Sequence, residues 1–323
     1  MSSENNNNNN TATNGISKEE VALYDRQIRL WGMEAQARLR QSSIKVIGVK
    51  ALTLEVCKNL VLAGLGSITI QDSTPINEID FETQYYFHEA DLGQPKDVVL
   101  AERLRILNPL VNIQTGEGRS EDTTYDLVVK IGTGIGGDSL EVNGKCRKRG
   151  ERFIAADSFG LFGYIFIDCL DAHEYIEEEK PKDDNAVVKR ISLTASYKPL
   201  ADSLTSKPGV ANLNRLVRKF PPLVFVCQTL STISQLEDIK SAEVLAEAVR
   251  RSIEGRGIPD GVVDDVLFGR VVQSLGTEFV PCASVVGGTL AQEILKVITR
   301  KDMPMNNWYT YDAIKADAIT CQL

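Results

Sequence analysis

The chain has 323 residues, 43% hydrophobic and 25% charged, which suits a globular protein large enough for one domain with an insertion. A formal net charge of -8 excludes a global pull toward DNA or RNA, and the longest basic cluster, Lys145 to Arg149, falls at an expected helix end where cations complement the dipole. Six scattered cysteines with no C-x-x-C spacing, and only two histidines, argue against a zinc site or a disulfide framework, and no run of about 18 apolar residues offers a membrane span.

Residues 1–16 are polar and include six consecutive asparagines, so they read as a disordered tail that cannot bury enough surface to offset its ordering entropy. Order is expected from Ser17, whose spacing to Glu20 is that of a capping box. An amphipathic helix over Val21–Leu30 follows, interrupted at Gly32 before a second helical stretch to about Arg40. Ile44–Gly48 reads as a buried strand, Leu52–Ala63 as a helix and Ser67–Gln71 as a second strand, together a right-handed βαβ unit. The alternation continues with a helix over Lys96–Leu107, strands near Val111–Gln114 and Asp126–Ile131, a helix ending at Arg149, and strands at Phe153–Ala156 and Gly163–Ile167. This pattern predicts a doubly wound, Rossmann-like α/β sheet over 17–173.

The charged stretch 174–194, with Pro181, Asp183 and Asp184, reads as an exposed linker. Residues 195–278 read as an inserted, mostly helical segment, and 279–323 as a return to the α/β domain. In that return Gly287-Gly288 opens an apolar helix over Thr289–Ile298, and Asn307–Tyr311 is a terminal strand rejoining the sheet.

A first βα turn that holds a nucleotide needs glycines, because side chains would fill the space in which phosphates approach the backbone N–H groups. Here the turn reads Gly48-Val49-Lys50-Ala51-Leu52-Thr53, and only its first glycine is present.

Several ordered blocks carry a family resemblance: Tyr24 to Gly32, Lys58 to Thr69 with its Ala-Gly-Leu-Gly, Gly93 to Lys96, Leu107-Asn108-Pro109, Pro281 to Gly288, and Asn306 to Asp312. They resemble the ThiF-like activating-enzyme superfamily, most nearly the small, Aos-type subunits of SUMO-activating enzymes. The resemblance runs from about residue 17 to the C-terminus and is weakest over 174–260. It implies a ThiF-type adenylation fold that acts on the C-terminal glycine of a ubiquitin-like protein.

Laid onto this chain, the resemblance marks a degenerate ATP site. Lys50, Ala51 and Thr53 stand where active members have glycines; Asp72 keeps the first acid of their D-x-D and Thr74 replaces the second; Thr83 replaces the arginine of N-x-x-R-Q. The magnesium-binding aspartate falls at Thr133, which supplies no anionic ligand. Asp72 is expected either to meet a ribose or to cap the next turn, and Lys96, a phosphate contact in active members, to be a solvated lysine at a helix start. No cysteine fits the thioester nucleophile: Cys57 and Cys282 read as small core residues, and Cys227, before Gln228-Thr229, lies in an apolar run.

The expectation is thus a non-catalytic subunit that binds no cofactor alone, with ATP and Mg held by an obligate partner, the large catalytic subunit of a SUMO-activating enzyme. SUMO is met indirectly, and the compartment implied is the nucleus, with the cytoplasm second. Arg26 is the residue expected to act, reaching in trans into the partner's ATP site, while Arg29 assists it or pairs with an acid. The helix Thr289–Ile298 and flanking strands are expected to supply the subunit interface. Within the family the alternative is the small subunit of a Nedd-type activating enzyme, disfavoured by the short insertion here. Outside that pairing stand a self-contained ThiF-like adenylating enzyme, a nicotinamide dehydrogenase and a pure scaffold.

Overall fold

The computed structural model describes residues 16–116, 123–133, 138–179, 189–209, 213–233, 235–259 and 261–323. The expected tail therefore lies outside the described residues, except for Ile16, which is buried. The Ser17–Glu20 capping box forms as its spacing predicts and opens α1 (Lys18–Leu23). The single helix expected over Val21–Leu30 breaks at Tyr24, whose buried side chain ends α1 and precedes α2 (Asp25–Trp31). Gly32 then separates α2 from α3 (Met33–Gln41).

The sheet follows. β1 (Ser43–Ile47), α4 (Ala51–Ala63) and β2 (Ser67–Gln71) make the first βαβ unit, and the short α5 (Asp80–Thr83) leads to α6 (Lys96–Leu107) and β3 (Asn112–Thr115). β4 (Leu127–Ile131), α7 (Ser139–Arg149) and β5 (Arg152–Phe159) complete a parallel half in the order β3-β2-β1-β4-β5. β6 (Phe162–Asp168) turns back antiparallel to β5. Side-chain alternation on β4 sends Val129 and Ile131 to one core layer, with α4, α6 and the last helix, and Val128 to the other, with Phe153, Phe225 and Trp308.

The stretch expected as a charged linker is instead largely a two-stranded antiparallel ribbon, β7 (His173–Glu179) paired with β8 (Lys189–Ala195). Its charges suggested a solvated loop, but they face each other across the ladder: Glu178 lies opposite Arg190, with Nε to Oε1 at 3.3 Å. On the same ribbon Tyr175 lies opposite Leu193 and is buried. Pro181, Asp183 and Asp184 lie outside the described residues.

Helices α8 (Leu200–Thr205), α9 (Leu213–Lys219), α10 (Pro222–Ser231), α11 (Ala242–Ile253) and α12 (Asp265–Ser274) cover one face of the sheet. The helix expected to open at Gly287-Gly288 is longer: α13 runs Val280–Thr299, with Pro281 in its first turn, where a missing N–H costs nothing. Gly287 sits mid-helix because α4 crosses there, and a Cβ on it would lie 2.8 Å from Glu55 Cβ. Leu290, Ile294, Val297 and Ile298 are consequently buried within this chain, so the apolar face of α13 is mostly internal core. Its outward side, with Leu30 and Leu62, leaves a shallow hollow of about 670 Å³. The chain ends in β9 (Trp308–Asp312), which joins β6 as expected, and in β10 (Asp317–Cys321), which the sequence reading did not include. Among the described residues no helix is long and apolar enough to cross a membrane.

Candidate functional site

Strand order reverses between β1 and β4, and the crevice outside their carboxyl ends is where doubly wound sheets hold ligands. A cleft of about 690 Å³ lies there, lined by Lys50, Thr83, Gln84, Lys96, Leu236 and Glu278 among others. What fills the hydrogen-bonding capacity of its loop is the chain itself.

Each of the three N–H groups that follow Gly48 is taken by a side chain of this protein. Val49 N–H donates to Asp72 Oδ2 at 2.7 Å, Lys50 N–H to Thr53 Oγ1 at 3.1 Å, and Ala51 N–H to Glu278 Oε1 at 3.0 Å. Thr53 closes the turn on itself, since its hydroxyl also donates to the Gly48 carbonyl at 2.9 Å. Thr83 donates to Glu278 Oε2 at 2.9 Å and so steadies the carboxylate at the α4 N-terminus, the end where helices attract anions.

The cations of the cleft are paired in the same way. Lys50 Nζ lies 2.6 Å from Asp157 Oδ1 and donates to the Ser158 carbonyl at 3.0 Å. Burial alone would push this ammonium down, but Asp157 and Glu278 outweigh it and hold Lys50 above the ordinary lysine range. Lys96, expected as a solvated lysine, is instead largely buried in an ion pair with Asp80 Oδ1 at 2.7 Å, an oxygen that also accepts from Gln84 at 2.7 Å. Asp72 serves as a cap: besides Val49 it accepts from the Thr74 N–H and hydroxyl, at 3.1 and 2.6 Å. Thr133 is buried at the end of β4, and its N–H donates to Asp157 Oδ2 at 2.7 Å.

These residues do not fit a magnesium–nucleotide phosphate chain. Glu278 puts a carboxylate where a phosphate would approach the helix, Lys50 fills the turn with a side chain paired to Asp157, and Thr133 carries no carboxylate for a cation. Glu278 and Asp157 were not singled out from the sequence. Asp157 has a faint signal as an acid at the end of an apolar strand, whereas Glu278 lies in the insertion, 195 residues from Thr83. Lys130 was missed as well; it is buried on β4, donates to the Gly132 carbonyl at 3.0 Å, and burial pushes its ammonium below the usual range.

The remaining sequence candidates lie apart from the cleft. Arg26, on α2, is exposed and has no hydrogen-bond or ion-pair partner among the described residues. Its neighbour Gln27 donates to the Leu62 carbonyl at 3.4 Å, at the C-terminal end of α4. Thirteen residues of helix, about 20 Å at a rise of ~1.5 Å per residue, separate that end from the cleft at Ala51. Arg29 is held by Asp25 at 3.0 Å. All six cysteines are buried and free; burial pushes the Cys57 and Cys282 thiols up to about 12 and the Cys227 thiol well above its ordinary value.

A ThiF family model matches residues 24–323. The chain belongs to the ThiF family. It is 32% identical to the Homo sapiens protein named SUMO-activating enzyme subunit 1, over 95% of this chain and 96% of that one. It is 29% identical to the Saccharomyces cerevisiae DNA damage tolerance protein RHC31, over 94% and 96%, and 30% identical to the Schizosaccharomyces pombe DNA damage tolerance protein rad31, over 93% and 96%. Among solved structures, E. coli MccB matches with a TM-score of 0.53 at 13% identity, covering 93% of this chain and 71% of that one. PaaA matches with a TM-score of 0.58 at 13% identity, covering 97% and 76%; both likenesses concern the fold. The relationship read from the sequence motifs, to the small subunits of SUMO-activating enzymes, thus extends over nearly the whole chain.

Proposed function

We propose that this chain is the non-catalytic subunit of a heterodimeric SUMO-activating enzyme. In this reading the large subunit holds ATP, magnesium and the thioester cysteine. The present chain binds no nucleotide, completes the assembly and supplies Arg26 to the partner's ATP site while the SUMO C-terminal glycine is adenylated. The nucleus is the compartment this role implies. The observation that carries the proposal is the self-filled loop: Val49, Lys50 and Ala51 spend their N–H groups on Asp72, Thr53 and Glu278. A guanidinium without a partner among the described residues, on α2 beyond the C-terminal end of α4, complements that loop. It is of no use to the cleft of its own chain and is available to another.

The chemistry suits an arginine on a well-held helix. Negative charge builds on the phosphates as pyrophosphate leaves, and fixed, fork-shaped donors stabilise it without reorganising. The hollow beside α2, bordered by exposed Leu30 and Leu62, offers apolar area for a permanent partner.

The test is reconstitution. Coexpression should yield a stable one-to-one complex with a large activating subunit, and ATP should bind only through that subunit. Arg26→Ala should leave assembly intact and slow adenylate formation by roughly ten- to a thousandfold. Saturable ATP binding by the isolated chain, or an unchanged adenylation rate in the variant complex, would refute the assignment of roles.

A further inference from the structure

Three features that sequence motifs mark separately meet at one point. Tyr24, 3% exposed, lies with its ring on Gly64, where an added Cβ would be 2.5 Å from Tyr24 Cζ. Gly64 also ends α4 in the left-handed region, at φ +85°, so the residue is fixed twice over. The buried Asn108 side chain spends both amide hydrogens here, on Tyr24 Oη at 2.8 Å and on the Val61 carbonyl at 2.8 Å. Its Oδ1 accepts from Leu110 N–H at 3.1 Å, which fixes the direction of the amide. The first turn of α2 is therefore tied to the last turn of α4.

Two further contacts hold the same helix. Gln27 donates to the Leu62 carbonyl at 3.4 Å, and Lys301 Nζ donates to the Leu30 carbonyl at 2.8 Å, meeting one of the open carbonyls at the α2 C-terminus. A seven-residue helix is too short to hold itself in water, so its position comes from these anchors. Arg26 lies two residues after Tyr24, in the turn the buried anchor controls, while its own side chain has no hydrogen-bond or ion-pair partner among the described residues to orient it.

We propose that Tyr24 and Asn108 are positioning residues for Arg26: their hydrogen bond, with the Tyr24 ring seated on Gly64, sets where the Arg26 guanidinium stands relative to the partner's nucleotide. This rests on the role proposed for Arg26. Neither residue touches a reacting atom; both act through the placement of α2. Misplacing a stabilising group by about an ångström costs on the order of a hundredfold when geometry carries the effect, and loss of one of several anchors costs less.

The experiment uses the reconstituted two-subunit enzyme and measures single-turnover adenylate formation, KM for ATP and assembly by size-exclusion chromatography. Tyr24→Phe keeps the ring on Gly64 and removes only the hydroxyl. It should assemble normally, leave KM for ATP within about twofold, and slow adenylation by roughly three- to tenfold. Asn108→Ala should behave likewise, with a larger effect. The deciding measurement is the double variant. In the Arg26→Ala background, Tyr24→Phe should cause no further loss, because a positioning residue has nothing left to position. Arg26→Ala slow with Tyr24→Phe at the wild-type rate, or the two losses multiplying, overturns the positioning role and leaves Arg26 standing. Arg26→Ala at the wild-type rate overturns both.

Discussion

The Glu278 carboxylate receives the Ala51 N–H at 3.0 Å, a contact that joins the first turn of α4 to a residue 227 positions later in the chain. It places an internal anion at the helix N-terminus and binds the helical insertion to the α/β half. Glu278→Ala should destabilise the protein by about 1–3 kcal/mol, since it strands a largely buried N–H and removes the partner of Thr83. Glu278→Gln, which keeps the acceptor oxygen, should cost less. Urea unfolding checks the order. Neither variant should gain ATP binding, because Lys50 and Thr133 remain.

Lys50 and Asp157 form the second lock. Lys50→Met leaves Asp157, 3% exposed at the side chain, without its counter-charge and should cost about 3–5 kcal/mol. Adding Asp157→Asn should recover part of that loss, and a double-mutant cycle measures the coupling. The sign with pH follows from the raised pKa of Lys50. Its contribution is complete below the ordinary value of 10.5 and is lost as pH rises through the higher folded value, so Lys50→Met should flatten the alkaline limb of the stability curve.

His173 acts on the acid side. It is 1% exposed, neither ring nitrogen has a partner among the described residues, and it meets Tyr197 edge-on. Burial, then the charges of Arg152 and Arg300, lower it from 6.5 to about 4. Between those values the unfolded chain takes up a proton that the folded chain refuses, so stability falls as pH drops through that window. His173→Phe gives up no hydrogen bond and should reduce the loss, seen as a smaller change in the urea midpoint between pH 7 and pH 5.

The thiols give a simpler test. With all six cysteines buried, and Cys57, Cys146, Cys282 and Cys321 each raised to about 12, native protein at pH 8 should resist N-ethylmaleimide. Intact mass spectrometry should register six additions only after denaturation.

The sequence exposed those parts of the fold whose signal is local. Hydrophobic runs placed β1, β2 and β4 to within a residue or two, because buried parallel strands are apolar on both faces. Ser17 and Glu20 announced their helix because a capping box spans one turn. The ribbon β7–β8 escaped because opposite charges paired across strands look, one strand at a time, like a solvated run. The candidate site divides in the same way. The side chains of Lys50, Ala51 and Thr53 in the turn after Gly48 are visible in sequence. The groups that hold the loop are not, because Glu278, on the Ala51 N–H, and Asp157, on the Lys50 ammonium, reach it only through the tertiary fold. Lys96 was misread for that reason too, its partner Asp80 being sixteen residues away across a turn.

The loop after Gly48 carries its own acceptors for its donors. Proteins that keep a ligand site gain stability as the ligand becomes abundant and lose it in scarcity. With Asp72, Thr53 and Glu278 covalently part of the molecule, their effective concentration at Val49, Lys50 and Ala51 does not vary with the energy state of the cell. The order of this turn therefore owes nothing to the concentration of a free ligand.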